Sequence, residues 1–194
     1  YHIYGNLFLH SEELGWLQWR VTHWDATSAE ATLDRLIVEV LQARRAEAVK
    51  FNRDQIITAA KPSARHIADC KKNFSSMVTA IASEFDSDPN LLNCQNGVVD
   101  LRTGQLLPHT ASQRFTYCVP VEYDPNADWT MWENFLYDVS GKSQEVLQYL
   151  QMAIGYSLTG HTSEECLFYL HGPTRAGKGT FTETLLALLP KPLG

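Results

Sequence analysis

Cys166-Leu167-Phe168-Tyr169-Leu170-His171, followed by Gly172-Pro173-Thr174-Arg175-Ala176-Gly177-Lys178-Gly179-Thr180, is the stretch from which the fold class is read. The first six residues form a short apolar run, which predicts a β-strand. The glycine-bounded loop after it has the make-up of a phosphate cradle. In such a loop backbone N–H groups and the N-terminus of the next helix aim at phosphate oxygens, and a lysine reaches the outer ones. Phe181, Leu185, Leu186, Leu188 and Leu189 then recur at helical spacing up to Pro190. Strand, loop and helix stand in the order that nucleotide binding requires.

The residues expected to hold the nucleotide are Gly172, Pro173, Thr174, Arg175, Ala176, Gly177, Lys178, Gly179 and Thr180, with ATP and Mg2+ as cofactors. The strict pattern places Ser or Thr directly after the lysine. Gly179 stands there, and Thr180, one place later, is the candidate for the magnesium side. Nucleotide kinases share this Gly-Lys-Gly-Thr ending, so an enzyme of that kind is a competing reading; such kinases carry the loop near their N-terminus, whereas here most of the chain precedes it. A complete motor also needs a parallel sheet and a second, acidic strand. Neither follows Leu189, and the chain opens on Tyr1, so it reads as a segment of a larger protein, with no catalytic residues of its own and no ATP turnover when isolated.

The composition, 44% hydrophobic and 20% charged over 194 residues, is that of a globular protein with a buried core. No run approaches the length of a membrane span, and Tyr1-His2-Ile3-Tyr4-Gly5 lacks the features of a signal peptide. The expected compartment is therefore cytoplasmic. Cys70, Cys94, Cys118 and Cys166 are too far apart for a zinc knuckle or a redox pair and read as reduced core thiols. The net charge of −6 is uneven: residues 35 to 72 hold nine basic residues against four acids, giving +5 there and −11 elsewhere. Within this window Arg44, Arg45, Lys50, Arg53, Lys71 and Lys72 are the candidates for a nucleic-acid contact. A solvated surface is the commoner origin of such a run, and both readings stay open.

The rest of the chain predicts an α+β fold: a mainly helical domain with a small hairpin and meander, then the first strand, loop and helix of an incomplete α/β ATPase. An aromatic start with Tyr4, Phe8, Trp16, Trp19 and Trp24 reads as a β-hairpin over 1–25, its rings packing across strands rather than stacking on bases. Helices follow over 27–86. Thr27 and Glu30 are placed as a capping box for the first, a short second precedes Pro62, and a third runs from Ser63 through Ile67, Cys70, Phe74, Met77, Val78, Ile81 and Phe85, the three packing as a bundle. Between 91 and 123, strand pieces alternate with Asn96-Gly97 and Thr103-Gly104 turns, which predicts a meander. Helices over 129–158 are capped by Asp128 and Ser143. Asp86-Ser87-Asp88-Pro89-Asn90 and Asp124-Pro125-Asn126-Ala127-Asp128 lack the glycine and glutamate of a calcium loop and are read as turns. Asn73-Phe74-Ser75 fits a glycosylation acceptor but is expected to be unmodified without a secretory signal.

Leu91-Leu92-Asn93, Asn96 to Leu101, Thr103-Gly104, Leu107-Pro108, Tyr123-Asp124-Pro125, Trp132, Phe135-Leu136, Tyr149-Leu150, Gly155 to Gly160 and the loop, in this order, resemble the phage and plasmid primase/helicases. These are superfamily 3 helicases, related to the poxvirus nucleoside triphosphatase. The resemblance covers about residues 85 to 189 and is weak before them, where Gly15-Trp16 and His23-Trp24 look similar to the start of the domain beside the motor. It implies a replicative protein whose ATPase forms a ring, usually a hexamer, and moves 3′ to 5′ on single-stranded DNA, with a primase upstream. Residues 1–160 would be the helical collar and 161–194 the start of the motor. Lys178 would neutralise the outer phosphates, and Gly172 and Gly177 would admit the backbone. Ala176 departs from the Asn common in relatives, and the acidic second motif, sensor and arginine finger do not occur in this stretch. A DNA-binding and assembly module with an idle loop is the non-catalytic alternative.

Overall fold

A computed structural model describes residues 4–188. It divides into two compact units, Tyr1–Phe85 and Asp86–Gly194. This cut by compactness differs from the functional one expected at residue 160. Among the described residues there are two small antiparallel sheets and six α-helices, so the class is mixed α and β. No described helix is long and apolar enough to cross a membrane.

The first unit opens with three antiparallel strands in sequential order, β1 (Phe8–Ser11), β2 (Gly15–Trp19) and β3 (Trp24–Asp25). The expected hairpin is thus a three-stranded sheet, with Phe8 opposite Gln18 and Trp19 opposite Trp24. The helices α1 (Ala29–Lys50), α2 (Asp54–Ala59) and α3 (Ala64–Ser75) follow. Phe8, Trp16, Ala29, Leu33 and Val78 form the core, with Phe74 packed against it. The Trp16 and Phe74 rings are stacked at 5.8 Å and 10°. The early aromatics therefore fasten sheet to helix.

Two expected features of this unit are corrected. The Thr27 and Glu30 capping box does not form, because each partner is engaged elsewhere. The Thr27 N–H donates to Asp25 Oδ1, Ser28 takes the cap position without a side-chain cap bond, and the Glu30 carboxylate holds Lys71 at 2.6 Å. Burial pushes the Asp25 carboxyl up, but hydrogen bonds from Thr27 and Arg20 outweigh it and hold this group below its usual range. The third helix also stops at Ser75 instead of continuing to Phe85. The Ser75 and Ser76 hydroxyls bond the Lys72 and Asn73 carbonyls, and residues 78–80 run extended beside β1. There His10 N–H donates to the Val78 carbonyl at 2.9 Å and Ala80 N–H to the His10 carbonyl at 2.8 Å, so covering the sheet edge wins over helical propagation.

The second unit opens with the expected meander, β4 (Leu91–Cys94), β5 (Gly97–Asp100) and β6 (Gln105–Leu107), in sequential order. Gly97 is required by space as well as by its φ of +156°, since a Cβ there would lie 2.6 Å from the Leu107 carbonyl oxygen. Residues 117–123 lie along β4, with Val119 N–H on the Asn93 carbonyl and Gln95 N–H on the Val121 carbonyl. Cys94, Val99 and Val119 form the local core. Helices α4 (Thr130–Val139) and α5 (Gln144–Leu158) come next. Ser143 caps α5 by accepting from Val146 N–H. Asp128 accepts from Thr130 N–H at 3.0 Å, while Trp129 holds the cap position itself. The acidic clusters act as turn acceptors: Asp88 takes Asn90 N–H and Asp124 takes Asn126 N–H. Cys94 is buried and Cys166 exposed, so Cys166 is not a core thiol.

Candidate functional site

The loop of the second unit is built on one helix start. α6 (Lys178–Leu188) begins at the loop lysine. Its first turn is closed by Phe181 N–H donating to the Gly177 carbonyl at 3.0 Å. The N–H groups of Lys178, Gly179 and Thr180 therefore precede the helical ladder, at the positive end of the helix dipole. Gly172, Arg175 and Gly177 all have positive φ, at +155°, +65° and +83°, which coils the backbone tightly ahead of that end.

Two contacts fix the loop. Phe181 is buried, and its ring stacks on Trp132 of α4 at 6.0 Å, Trp132 in turn stacking on Phe135 at 5.2 Å. Gly177 lies against the same helix, where a Cβ would meet Val139 and Phe135. Lys178 Nζ donates to the Gly172 and Pro173 carbonyls, both at 2.8 Å, so the ammonium is held over the loop it belongs to. A cavity of about 380 Å³ adjoins it, lined among others by Val146, Tyr149, Tyr169, His171 and Ala176. Pro173, Thr174, Arg175, Gly179 and Thr180 are exposed. The arrangement can take an anion at α6 and lend it one mobile positive charge.

The strand expected over Cys166–His171 does not form. Leu167 is 90% and Tyr169 81% exposed, against 39% for Phe168 and Leu170, so the segment alternates like a strand while staying unpaired. A β-strand exists through its ladder, and no described segment supplies one here. Leu189 and Pro190, read as the end of the helix, and residues 1–3 of the hairpin lie outside the described residues.

In the first unit the six basic candidates do not share one face. Lys71 is already engaged within the unit: Glu30 at 2.6 Å and Asp34 at 3.0 Å grip it, clamping α3 to α1. The hydrogen bond to Glu30 outweighs desolvation and raises its pKa above the usual lysine value. Arg44 and Arg45 are neighbours on α1, hence about 100° apart, on either side of the stripe that buries Leu41 and Ala48. Arg44 borders an apolar groove of about 260 Å³ shared with Tyr4, Leu36, Val40, Cys70 and Phe74. Lys50 and Arg53 are exposed at the α1–α2 corner, and Lys72 is exposed on α3. Phe51, which the sequence reading passes over, is 64% exposed at that corner with the Arg53 guanidinium 5.7 Å from its ring centroid. A large apolar side chain just past a helix end was the available signal.

Comparison with known proteins adds one finding. The family model described as D5 N terminal like matches residues 1–141, a span that holds the first unit, the meander and α4 and stops before the loop. Comparison with curated proteins gave no match.

Proposed function

The chain belongs to the D5 N-terminal-like family of phage- and plasmid-type primase/helicases, and from that premise we propose that it is the collar and first nucleotide-binding motif of a superfamily 3 replicative helicase. In this reading residues 1–160 are the collar and 161–194 open the motor. The motor binds ATP with Mg2+ through Gly172 to Thr180, assembles as a ring with other copies, and unwinds DNA downstream of a primase domain. Lys178 neutralises the outer phosphates, and Thr180, exposed on the first turn of α6, takes the magnesium side.

The observation that carries the reading is the Lys178 ammonium resting on the Gly172 and Pro173 carbonyls at the start of α6. Those two carbonyls are neutral acceptors for a full charge, and incoming phosphate oxygens replace them with bonds between opposite charges. The residues present fit a nucleotide's phosphates in three respects: N–H groups ahead of the helical ladder, a glycine-relaxed backbone, and a lysine within reach.

Titration with a fluorescent ATP analogue and Mg2+, run beside Lys178→Ala, tests the proposal. Saturable binding that the variant loses supports it, and equal affinity in both proteins removes it. A second reading is a DNA-binding and assembly module with an idle loop, favoured by the unpaired, exposed 166–171 segment. It predicts no nucleotide binding by either protein. A nucleotide kinase is disfavoured by the family of residues 1–141.

A further inference from the structure

We propose that the α1–α2 corner is a seat for single-stranded nucleic acid, in which Phe51 stacks on one base while Lys50 and Arg53 hold the flanking phosphates. The proposal rests on the reading of the parent as a DNA-handling protein. Phe51 is the residue directly after α1, and its N–H and that of Arg53 both return to the Ala48 carbonyl, at 3.3 and 3.0 Å. Asn52 between them has a φ of +51° and reverses the chain. The ring is thus mounted on a hydrogen-bonded corner and not on a free tail. It stays 64% exposed although phenylalanine has no polar end to repay contact with water.

Several cations of the unit are neutralised in ion pairs, while those at this corner are not. Arg20 is paired with Asp25, Arg35 with Glu39, Arg65 with Asp69, and Lys71 with Glu30 and Asp34. Among the described residues Arg44, Arg45 and Lys50 make no ion pair, and the Arg53 guanidinium sits over the Phe51 ring. Glu47 and Asp54 are the only acids between Arg44 and Asp54. Over residues 44 to 54 four basic residues stand against these two acids, and the exposed Phe51 ring lies near the end of that run. Those two elements are what single-strand binders combine, cations for the backbone and a ring for a base. The carbonyl end of α1 offsets part of the charge, which makes the ring the distinguishing part of the seat. A duplex presents no unstacked base to it.

Fluorescence anisotropy of the full chain with a labelled oligothymidylate, an abasic strand of equal length and a duplex tests this, using Phe51→Ala, Phe51→Trp and the double reversal Lys50→Glu/Arg53→Glu. All three positions are exposed, and thermal melts monitor the fold. Phe51→Ala is expected to weaken oligothymidylate binding by about 5- to 100-fold, the cost of one lost stack, and to leave abasic binding unchanged. Phe51→Trp is expected to retain wild-type affinity. The double reversal should weaken both strands and flatten the salt dependence. Wild-type affinity in Phe51→Ala, with loss in the double reversal, overturns the stacking role and leaves the DNA reading standing. Unchanged binding in every variant overturns the corner itself. A wild-type chain that binds no strand at low salt overturns both the corner and the DNA reading.

Discussion

Gly177 and Val139 stand so close that a Cβ built on the glycine would lie 2.6 Å from the valine Cγ1, with Phe135 Cε2 at 3.1 Å. A loop glycine of this kind is usually explained by access for a ligand's phosphates. Here it also carries packing, because the loop is set against α4 through this point and through the Trp132–Phe181 stack.

Gly177→Ala therefore combines a steric clash with a left-handed φ of +83°. The expected destabilisation is about 2–4 kcal/mol, from overpacking and backbone strain together. Val139→Ala in the same chain should return the steric part and not the strain, about half of the loss. Urea titration of the three proteins checks it, and additive losses in the double variant would show that the two positions do not touch.

Val21 is 72% exposed and sits at a φ of +73° in the turn between β2 and β3. A β-branched side chain is poorly tolerated there, and no burial compensates it. Val21→Asn should raise stability by about 1 kcal/mol, read as an increase of a few degrees in Tm. An unchanged or lower Tm would mean that the valine contributes contacts its exposure does not suggest.

These positions mark where sequence reasoning succeeded and where it stopped. The 3.6-residue period of Leu33 and Leu41 on α1 and the Asn96-Gly97 turn of the meander are local signals, and the fold obeys them. Met77, Val78, Ile81 and Phe85 continue a helical spacing too, yet Val78 and Ala80 are captured by His10, a partner far away in the chain. The Cys166–His171 run has strand composition, but a strand is made by its neighbour. The sequence places Lys71 in a basic stretch and gives no sign that Glu30, 41 residues earlier, holds it. The helix that stops early yields to a contact distant in the chain, and the 166–171 run lacks the contact that would make it a strand; neither can be read from a local pattern.

Lys71 and the other DNA candidates separate experimentally on the same grounds. Lys71→Met removes the clamp between α1 and α3 while Lys50→Met removes an unpaired surface charge. The Glu30 and Asp34 side chains are 63% and 42% exposed, so screening keeps the loss small, about 0.5–1 kcal/mol for Lys71→Met. Lys50→Met should be neutral within about 0.5 kcal/mol. Anisotropy should show the reverse order, with single-strand affinity falling for Lys50→Met and holding for Lys71→Met. Equal loss of affinity in the two variants would place Lys71 on the binding surface.

The alkaline limb of stability follows from three raised pKa values. Burial pushes the Cys94 thiol up to about 11 from 9.0. Burial, with Asp86 nearby, pushes the Tyr117 hydroxyl up to about 12 from 10.0. The hydrogen bond it donates to Glu30 raises Lys71 above 10.5. In each case the folded protein keeps a proton that the unfolded chain releases sooner, so the contribution is complete below the unfolded pKa and disappears as pH rises through the folded one. Stability should hold up to about pH 8.5 and then decline steadily toward pH 12. Tyr117→Phe with Cys94→Ala removes two of the three groups and should flatten that decline, at the cost of some stability at neutral pH from the vacated thiol volume and the lost bond to the Leu91 carbonyl. Urea midpoints measured from pH 7 to 11 decide it: an equally steep decline in the double variant would place the alkaline sensitivity in other groups. The same burial predicts the order of thiol alkylation in the native protein, the exposed Cys166 first and the buried Cys94 last.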